Sequence, residues 1–244
     1  MTTARWPSDV PRVQADFLAL RYPWDDWIGE DDADLLDDEL LDKQNEISDR
    51  ANLALATGCT EWIVYRYQRL SNDPVPYDEL EAMWAAVIDT RYMRPWEPDR
   101  DLWSGPVRGP LLFAMLYAQQ AVRDLATQSG PGMAVLYLSG LAEIVLPDYD
   151  AFVAWRDETL DHLRKLYPFD PHDTPGDVVP WQALEAPHLF DPRTTEPSVQ
   201  SFLATLDPER NQCLHRADEM LDLLVERTPY TFELADDRET RNIW

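Results

Sequence analysis

Residues 110–145 read PLLFAMLYAQQAVRDLATQSGPGMAVLYLSGLAEIV and decide the fold class. Only three of these residues are charged. The two apolar windows in this region, 111–122 and 133–146, are shorter than the roughly 18 apolar residues that a membrane-spanning helix needs. The stretch therefore predicts two buried helices at the centre of a globular α-helical fold.

Apolar residues outside this stretch also follow helical spacing. Leu55, Cys59, Trp62 and Ile63, for example, stand at positions i, i+4, i+7 and i+8 and mark one face of a helix. Alternation with a period of two, which is typical of a strand, is limited to 230–234 (YTFEL). Proline and N-capping residues set the helix boundaries. The sequence predicts an all-α fold of about nine helices: 14–20, 34–48, 50–70, 77–92, 110–127, 133–145, 148–166, 197–205 and 208–227.

Three short turns suggest an internal repeat. RYPWDD (21–26), RPWEPD (94–99) and YPFDPH (167–172) have their first prolines at positions 23, 95 and 168, which are 72 and 73 residues apart. Such spacings fit three-helix units, which stack in an irregular α-solenoid because one unit cannot bury its apolar face alone. The alternative is a multi-helix bundle in which helix–proline–aromatic turns recur by chance.

The sequence predicts one domain with a proline-rich connector. Five prolines fall between Thr174 and Ser198. The connector is either ordered and packed through Trp181, Leu184 and Phe190 or a flexible loop. The predicted parts of the chain are the single all-α domain 1–244, the connector 174–198, the C-terminal helices within 197–227 and the tail 228–244.

Charge excludes several classes of partner. The chain carries 46 acidic and 21 basic residues, a net charge of −25 at pH 7. A surface with that charge repels phosphate, so direct binding to nucleic acid or to an anionic membrane is disfavoured. With 45% hydrophobic residues the chain can bury a substantial core. The N-terminal residues show no secretory signal or transit peptide, so the expected location is the cytoplasm.

No nucleotide-binding or hydrolase motif occurs in the sequence. The patterns G-x-x-x-x-G-K-[ST], G-x-G-x-x-G and G-x-S-x-G are all absent. No two of the four histidines have H-E-x-x-H or H-x-x-x-H spacing, and the two cysteines form no C-x-x-C pair. Cys59 and Cys213 lie on apolar helical stripes and are expected to be reduced core thiols. We therefore expect no catalytic residue, no metal site and no cofactor.

One short pattern keeps an enzymatic alternative open. Residues 38–42 (DELLD) place Asp38 and Asp42 four residues apart on one helix face, where two carboxylates can hold Mg²⁺. The pattern resembles the aspartate-rich box of helical terpene synthases and prenyltransferases. That resemblance implies a Mg²⁺-dependent enzyme working through Asp34, Asp38 and Asp42. The second metal box of that family is absent, and Glu39 stands where the family has an aspartate.

The DELLD pattern belongs to a longer acidic run. Residues 30–49 contain ten acidic residues and one basic residue, Lys43. The run is either the solvated face of an amphipathic helix with its leucines turned inward or a recognition surface. In the second case its negative potential would steer a basic partner to the protein.

The recognition alternative leads to the preferred function. A compact, acidic, helical protein that is rich in aromatics and lacks an active-site motif is similar in profile to bacterial immunity proteins, which bind and occlude a cognate toxin. That resemblance implies a non-catalytic inhibitor whose partner is a protein with a basic surface. A helical-repeat adaptor or secretion chaperone is the third alternative. The candidate partner-binding residues are Asp31, Asp32, Asp34, Asp37, Asp38, Glu39, Asp42, Trp24, Trp96 and Phe169.

Overall fold

The computed structural model describes residues 20–26, 37–95, 98–127, 132–185, 189–216 and 218–219. Within these ranges the chain forms α-helices and short 3₁₀ turns but no β-strand, so the predicted all-α class is confirmed. The helices of this part of the chain are α1 (Asp38–Gln44), α2 (Asp49–Arg66), α3 (Val75–Ile88), α4 (Gly105–Thr127), α5 (Ala134–Val145), α6 (Tyr149–Leu166) and α7 (Thr195–Leu203). The 3₁₀ turns are Thr90–Tyr92, Trp181–Leu184 and Pro192–Thr194.

Helix α2 is the centre of the fold. All but one of its 18 residues are buried, and α3, α4, α5 and α6 pack around it. The predicted apolar face is buried, and so are Thr57, Thr60 and Glu61 on the rest of the helix. The expectation that 110–145 forms the centre is therefore corrected. Helices α4 and α5 pack against α2, and each keeps residues exposed to solvent.

The turn between α1 and α2 is held against the end of α6. Ser48 N–H donates to the Tyr167 carbonyl at 2.9 Å, and Phe169 N–H donates to the Glu46 carbonyl at 3.0 Å. The two bonds form a short antiparallel pairing between segments that are far apart in the sequence. Helix α1 is thereby placed beside the C-terminal half of α6.

Residues 20–26, which we call the strap, cross the start of α4. Helix α4 begins at Gly105, so Pro110 lies inside the helix and not at its predicted first position. A proline has no N–H to donate to the carbonyl four residues earlier, which here belongs to Pro106. The hydroxyl of Tyr22 donates to that carbonyl at 2.5 Å. The strap thus supplies the hydrogen bond that the proline cannot make.

Two further contacts fix the strap. Asp26 Oδ1 accepts a hydrogen bond from Gly105 N–H at 3.0 Å and another from the Trp24 indole at 2.6 Å. The Trp24 ring packs edge-on against Phe113, with the ring centroids 5.8 Å apart. It also lies on Gly109, where an added Cβ would come 2.2 Å from Trp24 Nε1. Because residue 109 is glycine and has no side chain, the Trp24 ring can lie directly on the helix backbone.

The C-terminal segment 208–216 forms turns, where the sequence predicts the start of a helix over 208–227. Asn211 is fully buried, and its Nδ2 donates to the Asp78 carbonyl and to Glu81 Oε2, both at 2.8 Å. Farther along, backbone hydrogen bonds join the segment to the 3₁₀ turn that follows α3. Contacts with distant residues therefore override the local helix signal over 208–216, whereas residues 218–219 are helical.

The structure does not confirm the repeat, the solenoid or the count of nine helices. In a solenoid each unit contacts only its neighbours, whereas α2 is enclosed by helices on several sides. The aromatic residues in the first and third aligned turns have different surroundings, because Trp24 packs on α4 and Phe169 is 46% exposed. Most of the predicted helix 14–20 and the whole tail 228–244 lie outside the described residues.

The described part of the proline-rich connector is ordered and packs onto the core through Trp181, Leu184 and Phe190, as in the first of the two alternatives. Leu184 and Phe190 are buried and Trp181 is half-buried. Leu184 and Trp155 close over Gly58 of α2, where an added Cβ would come 2.7 Å from Leu184 Cδ2. The connector is thereby held directly on the central helix.

Both cysteines are buried, as predicted. Cys59 lies on α2 and Cys213 lies in the segment 208–216, and both thiols are free. None of the described helices is both long enough and apolar enough to cross a membrane.

Candidate functional site

The described part of the acidic run begins at the N-terminus of α1. The Asp37 carboxylate accepts a hydrogen bond from Leu40 N–H at 3.0 Å and caps the helix. Asp38, Glu39 and Asp42 are exposed, whereas Leu40 is buried. Helix α1 is therefore amphipathic, with carboxylates in water and a leucine in the core. Both interpretations of the run share this geometry.

Helix α6 brings further acidic residues to the same side of the molecule. Lys43 of α1 forms an ion pair with Glu39 at 2.8 Å. That hydrogen bond raises the pKa of Lys43, and the charges of Asp157 and Asp161 on α6 act in the same direction. Salt and water screen the interaction between exposed charges beyond a short distance. The influence of Asp157 and Asp161 on Lys43 therefore indicates that α6 lies close to α1.

Arg164 is a second link between α1 and α6. Its guanidinium binds Glu46, which follows α1, and Asp161 at 3.4 Å. Asp157 is paired with the buried Arg156 at 2.8 Å. We call the carboxylates that these contacts bring together the acidic face: Asp37, Asp38, Glu39, Asp42, Glu46, Asp157 and Asp161.

The acidic face keeps an excess of negative charge. Its seven carboxylates stand against three cations, Lys43, Arg156 and Arg164. Asp38 and Asp42 form no ion pair with any residue in the described part of the chain. Such an excess attracts a basic protein and speeds the encounter, and salt weakens the effect. Carboxylates without a partner can also accept bidentate hydrogen bonds from arginine in an interface.

Phe169 is an exposed aromatic side chain at the edge of the acidic face. It is 46% exposed, and its N–H donates to the carbonyl of Glu46. Trp24 has a different environment, because its ring packs on α4 and its indole N–H is bound to Asp26. Of these two predicted anchors, Phe169 is accessible to a partner and Trp24 holds the strap.

The structure covers only part of the predicted site, and the sequence missed another part. Partner binding stays a prediction for every residue of the predicted site, and four of these residues lie outside the described ranges. Asp157 and Asp161 were missed, although their spacing of four residues places them on one helix face. Nothing in the sequence shows that this face lies beside α1. The four residues outside the described ranges are Asp31, Asp32, Asp34 and Trp96.

An open groove of about 550 Å³ lies elsewhere, between the α2–α3 turn and the start of α4. Arg108 and Asp73 on its walls are paired at 3.2 Å, so their charges largely cancel. No motif in the sequence pointed to this groove. Its lining residues are Leu70, Ser71, Asn72, Asp73, Pro74, Val107 and Arg108.

The enzymatic alternative depends on carboxylates that share a metal ion. Among the residues that the structure describes, no group of three His, Cys, Asp or Glu side chains could hold a metal. Asp38 and Asp42 lie exposed on α1, and Asp34 is outside the described ranges. Comparison of the chain with protein-family models, with curated proteins and with solved structures finds no match.

Proposed function

We propose that this protein is a non-catalytic, protein-binding inhibitor whose partner carries a basic surface. It would act as a bacterial immunity protein does, by binding and neutralising a cognate toxin in the cytoplasm. One observation supports the proposal most directly. Helices α1 and α6 combine their carboxylates in one acidic face, and Phe169 is exposed at its edge.

The acidic face and Phe169 would contribute to binding in different ways. Exposed carboxylates chiefly raise the association rate with a basic protein. An aromatic ring that enters a pocket on the partner chiefly slows dissociation, because it removes apolar surface from water. The bond between Phe169 N–H and the Glu46 carbonyl fixes the backbone beneath the ring. Less conformational entropy is then lost when the ring is buried in a complex.

Asp38 and Asp42 offer a clean test of the electrostatic contribution. Neither side chain forms a hydrogen bond or ion pair with a described residue, so Asp38→Asn with Asp42→Asn removes two charges and breaks no described contact. Exposed charges of this kind contribute little to stability. The matched control is Asp101→Asn with Glu143→Gln, which removes two exposed charges from other parts of the fold.

The experiment measures association and dissociation of the basic protein encoded by the adjacent gene, at low and at high salt. We expect the Asp38/Asp42 variant to associate several-fold more slowly at low salt and to show a flatter salt dependence than the control. Phe169→Ala should speed dissociation by about tenfold or more. Equal rates and equal salt dependence in all variants would contradict the proposal, as would a failure of the wild-type protein to bind.

A further inference from the structure

Glu79 is a buried carboxylic acid without a hydrogen-bonding partner among the residues that the structure describes. Its side chain lies on α3 and has no exposed surface. Neither carboxyl oxygen accepts a hydrogen bond from a residue in the described part of the chain. Burial of a polar group without partners costs free energy, and the cost is much larger for an ionised group. The acidic face and the proposed function make no use of this residue.

The elements around Glu79 present neutral groups to it. Gln119 of α4 and the thiol of Cys213 in the segment 208–216 are its polar neighbours, and neither reaches hydrogen-bonding geometry. Burial raises the pKa of Glu79 to about 7, and these two neighbours act in the opposite direction. On α2, the carboxylate of Glu61 accepts a hydrogen bond from Trp84 of α3.

Other charged groups of α3 and the segment do not neutralise this site. Burial, followed by the charge of Glu81, raises the pKa of the neighbouring Asp78 to about 6. Arg210 of the segment acts in the opposite direction on Asp78. A charge on Glu79 would therefore lack a salt bridge within the described residues.

The segment 208–216 covers this site and is attached by hydrogen bonds that do not involve Glu79. Asn211 Nδ2 donates to two acceptors of α3 at 2.8 Å. Arg94 N–H donates to the Cys213 carbonyl at 2.8 Å, and His215 N–H donates to the Tyr92 carbonyl at 3.0 Å. The backbone and amide bonds hold the segment down, while the buried face of Cys213 closes the space beside the carboxyl.

We propose that the segment 208–216 is a pH-controlled latch over Glu79, docked when the carboxyl is protonated and released when it is ionised. A neutral acid fits the closed, uncharged surroundings. A carboxylate needs water, which reaches it only when the segment leaves.

The sign of the response follows from the two states of Glu79. In the docked state its pKa is about 7, and in the released state it approaches the ordinary value of 4.5. Docking is therefore fully favoured below pH 4.5, weakens as the pH rises to about 7, and changes no further above that. Over this range the equilibrium shifts towards release by up to about 300-fold.

The two cysteines distinguish local release from global unfolding. Cys213 lies in the latch and Cys59 lies on α2, and both are buried. Their reaction with a pyridyl disulfide, located by peptide mass mapping, is compared between the wild type and Glu79→Gln from about pH 5 to about pH 8. Buried Cys213 reacts through the released state, in which its thiol is away from Glu79, so comparison at each pH cancels the ionisation of the thiol itself. We expect the wild-type to variant ratio of rates to rise tens of fold with pH for Cys213 and to change far less for Cys59.

His215 provides the control for another ionisable side chain at this end of the segment. Its Nδ1 lies 2.8 Å from the Arg91 carbonyl oxygen. His215→Asn should keep the pH response of Cys213. A response that disappears in this variant and persists in Glu79→Gln would overturn the proposal, as would equal responses at both cysteines.

Hydrogen exchange of the wild-type protein tests the latch without any substitution. Amides of 213–215 should exchange progressively faster than those of α2 as the pH rises towards 7, after correction for intrinsic exchange. Parallel exchange of the two regions would overturn the proposal, even if Glu79→Gln did not fold.

Discussion

The Tyr22 hydroxyl takes the place of the hydrogen-bond donor that Pro110 lacks, at the carbonyl of Pro106. Tyr22 has one hydroxyl proton and donates it to this carbonyl, so Tyr67 is the donor in the hydrogen bond between the two tyrosines. Burial raises the pKa of both hydroxyls, which therefore stay protonated at neutral pH. A proline inside α4 is compatible with the helix because a distant part of the chain replaces the missing donor.

Tyr22→Phe should lower the free energy of unfolding by about 1–2 kcal/mol, because the Pro106 carbonyl and the Tyr67 hydroxyl both lose a partner. In a Pro110→Ala background the new backbone N–H can bind the Pro106 carbonyl, so the same substitution should cost less. Denaturant unfolding of the four proteins measures the difference. An equal cost in both backgrounds would show that Tyr22 does not substitute for the helical hydrogen bond.

Gly109→Ala should destabilise the protein by about 1–3 kcal/mol, because the added methyl group meets the Trp24 ring. The added methyl group would also come 2.7 Å from Asp26 Oδ1. In a Trp24→Ala, Asp26→Ala background both close neighbours are absent, and the change should stabilise the helix by about 0.5–1 kcal/mol, since alanine is the better helix former. Thermal unfolding of the protein with and without Gly109→Ala, in each of the two backgrounds, shows whether the substitution stabilises or destabilises it. The same sign in both backgrounds would contradict a close packing of Trp24 on Gly109.

Apolar spacing predicted helix α2 but not how deeply it is buried. Its polar residues require partners that other segments supply. Glu61 Oε1 accepts a hydrogen bond from Trp84 Nε1 at 2.9 Å, and Arg66 Nε donates to the Val145 carbonyl at 3.3 Å. The spacing of residues along one helix cannot reveal partners that are more than twenty positions away. The central position of α2 therefore follows only from the assembled fold.

In the segment 208–216 and at the acidic face, too, contacts between distant residues could not be predicted from local sequence. Asp207 followed by Pro208 is a typical start of a helix, but the contacts of Asn211 with α3 hold the following residues in turns. At the acidic face, the exposed carboxylates of α1 were evident from the sequence. The sequence did not reveal that carboxylates of α6 belong to the same face. Their position beside α1 depends on the pairing of the α1–α2 turn with the end of α6.

Phe152→Ala should strongly lower the stability of the protein, whereas Phe169→Ala should chiefly weaken binding of the partner. Phe152 is fully buried and packs against Trp62 with ring centroids 5.7 Å apart, so its loss should cost about 3–5 kcal/mol. Phe169 is 46% exposed, so its loss should cost under about 1 kcal/mol. Urea unfolding checks both values. A large loss of stability in Phe169→Ala would mean that the ring supports the fold, and reduced binding by that variant would then not identify an anchor.

Glu79→Gln should change how the stability of the whole protein depends on pH. Burial raises the pKa of Glu79 to about 7, whereas the unfolded chain has the ordinary value of 4.5. Between these values the unfolded state loses the proton first, so the free energy of unfolding falls as the pH rises. The loss is complete above pH 7 and amounts to at most about 3 kcal/mol.

Denaturant unfolding of the wild type and Glu79→Gln across this pH range isolates the contribution of Glu79. Other carboxylates, including Asp78 with its pKa raised to about 6 by burial, titrate in both proteins and largely cancel in the difference. The stability of the variant relative to the wild type should therefore increase with pH from about 4.5 to about 7 and stay constant above that. A difference independent of pH would show that the Glu79 carboxyl is already ionised when the protein is folded. In that case a partner outside the described residues would have to balance its charge.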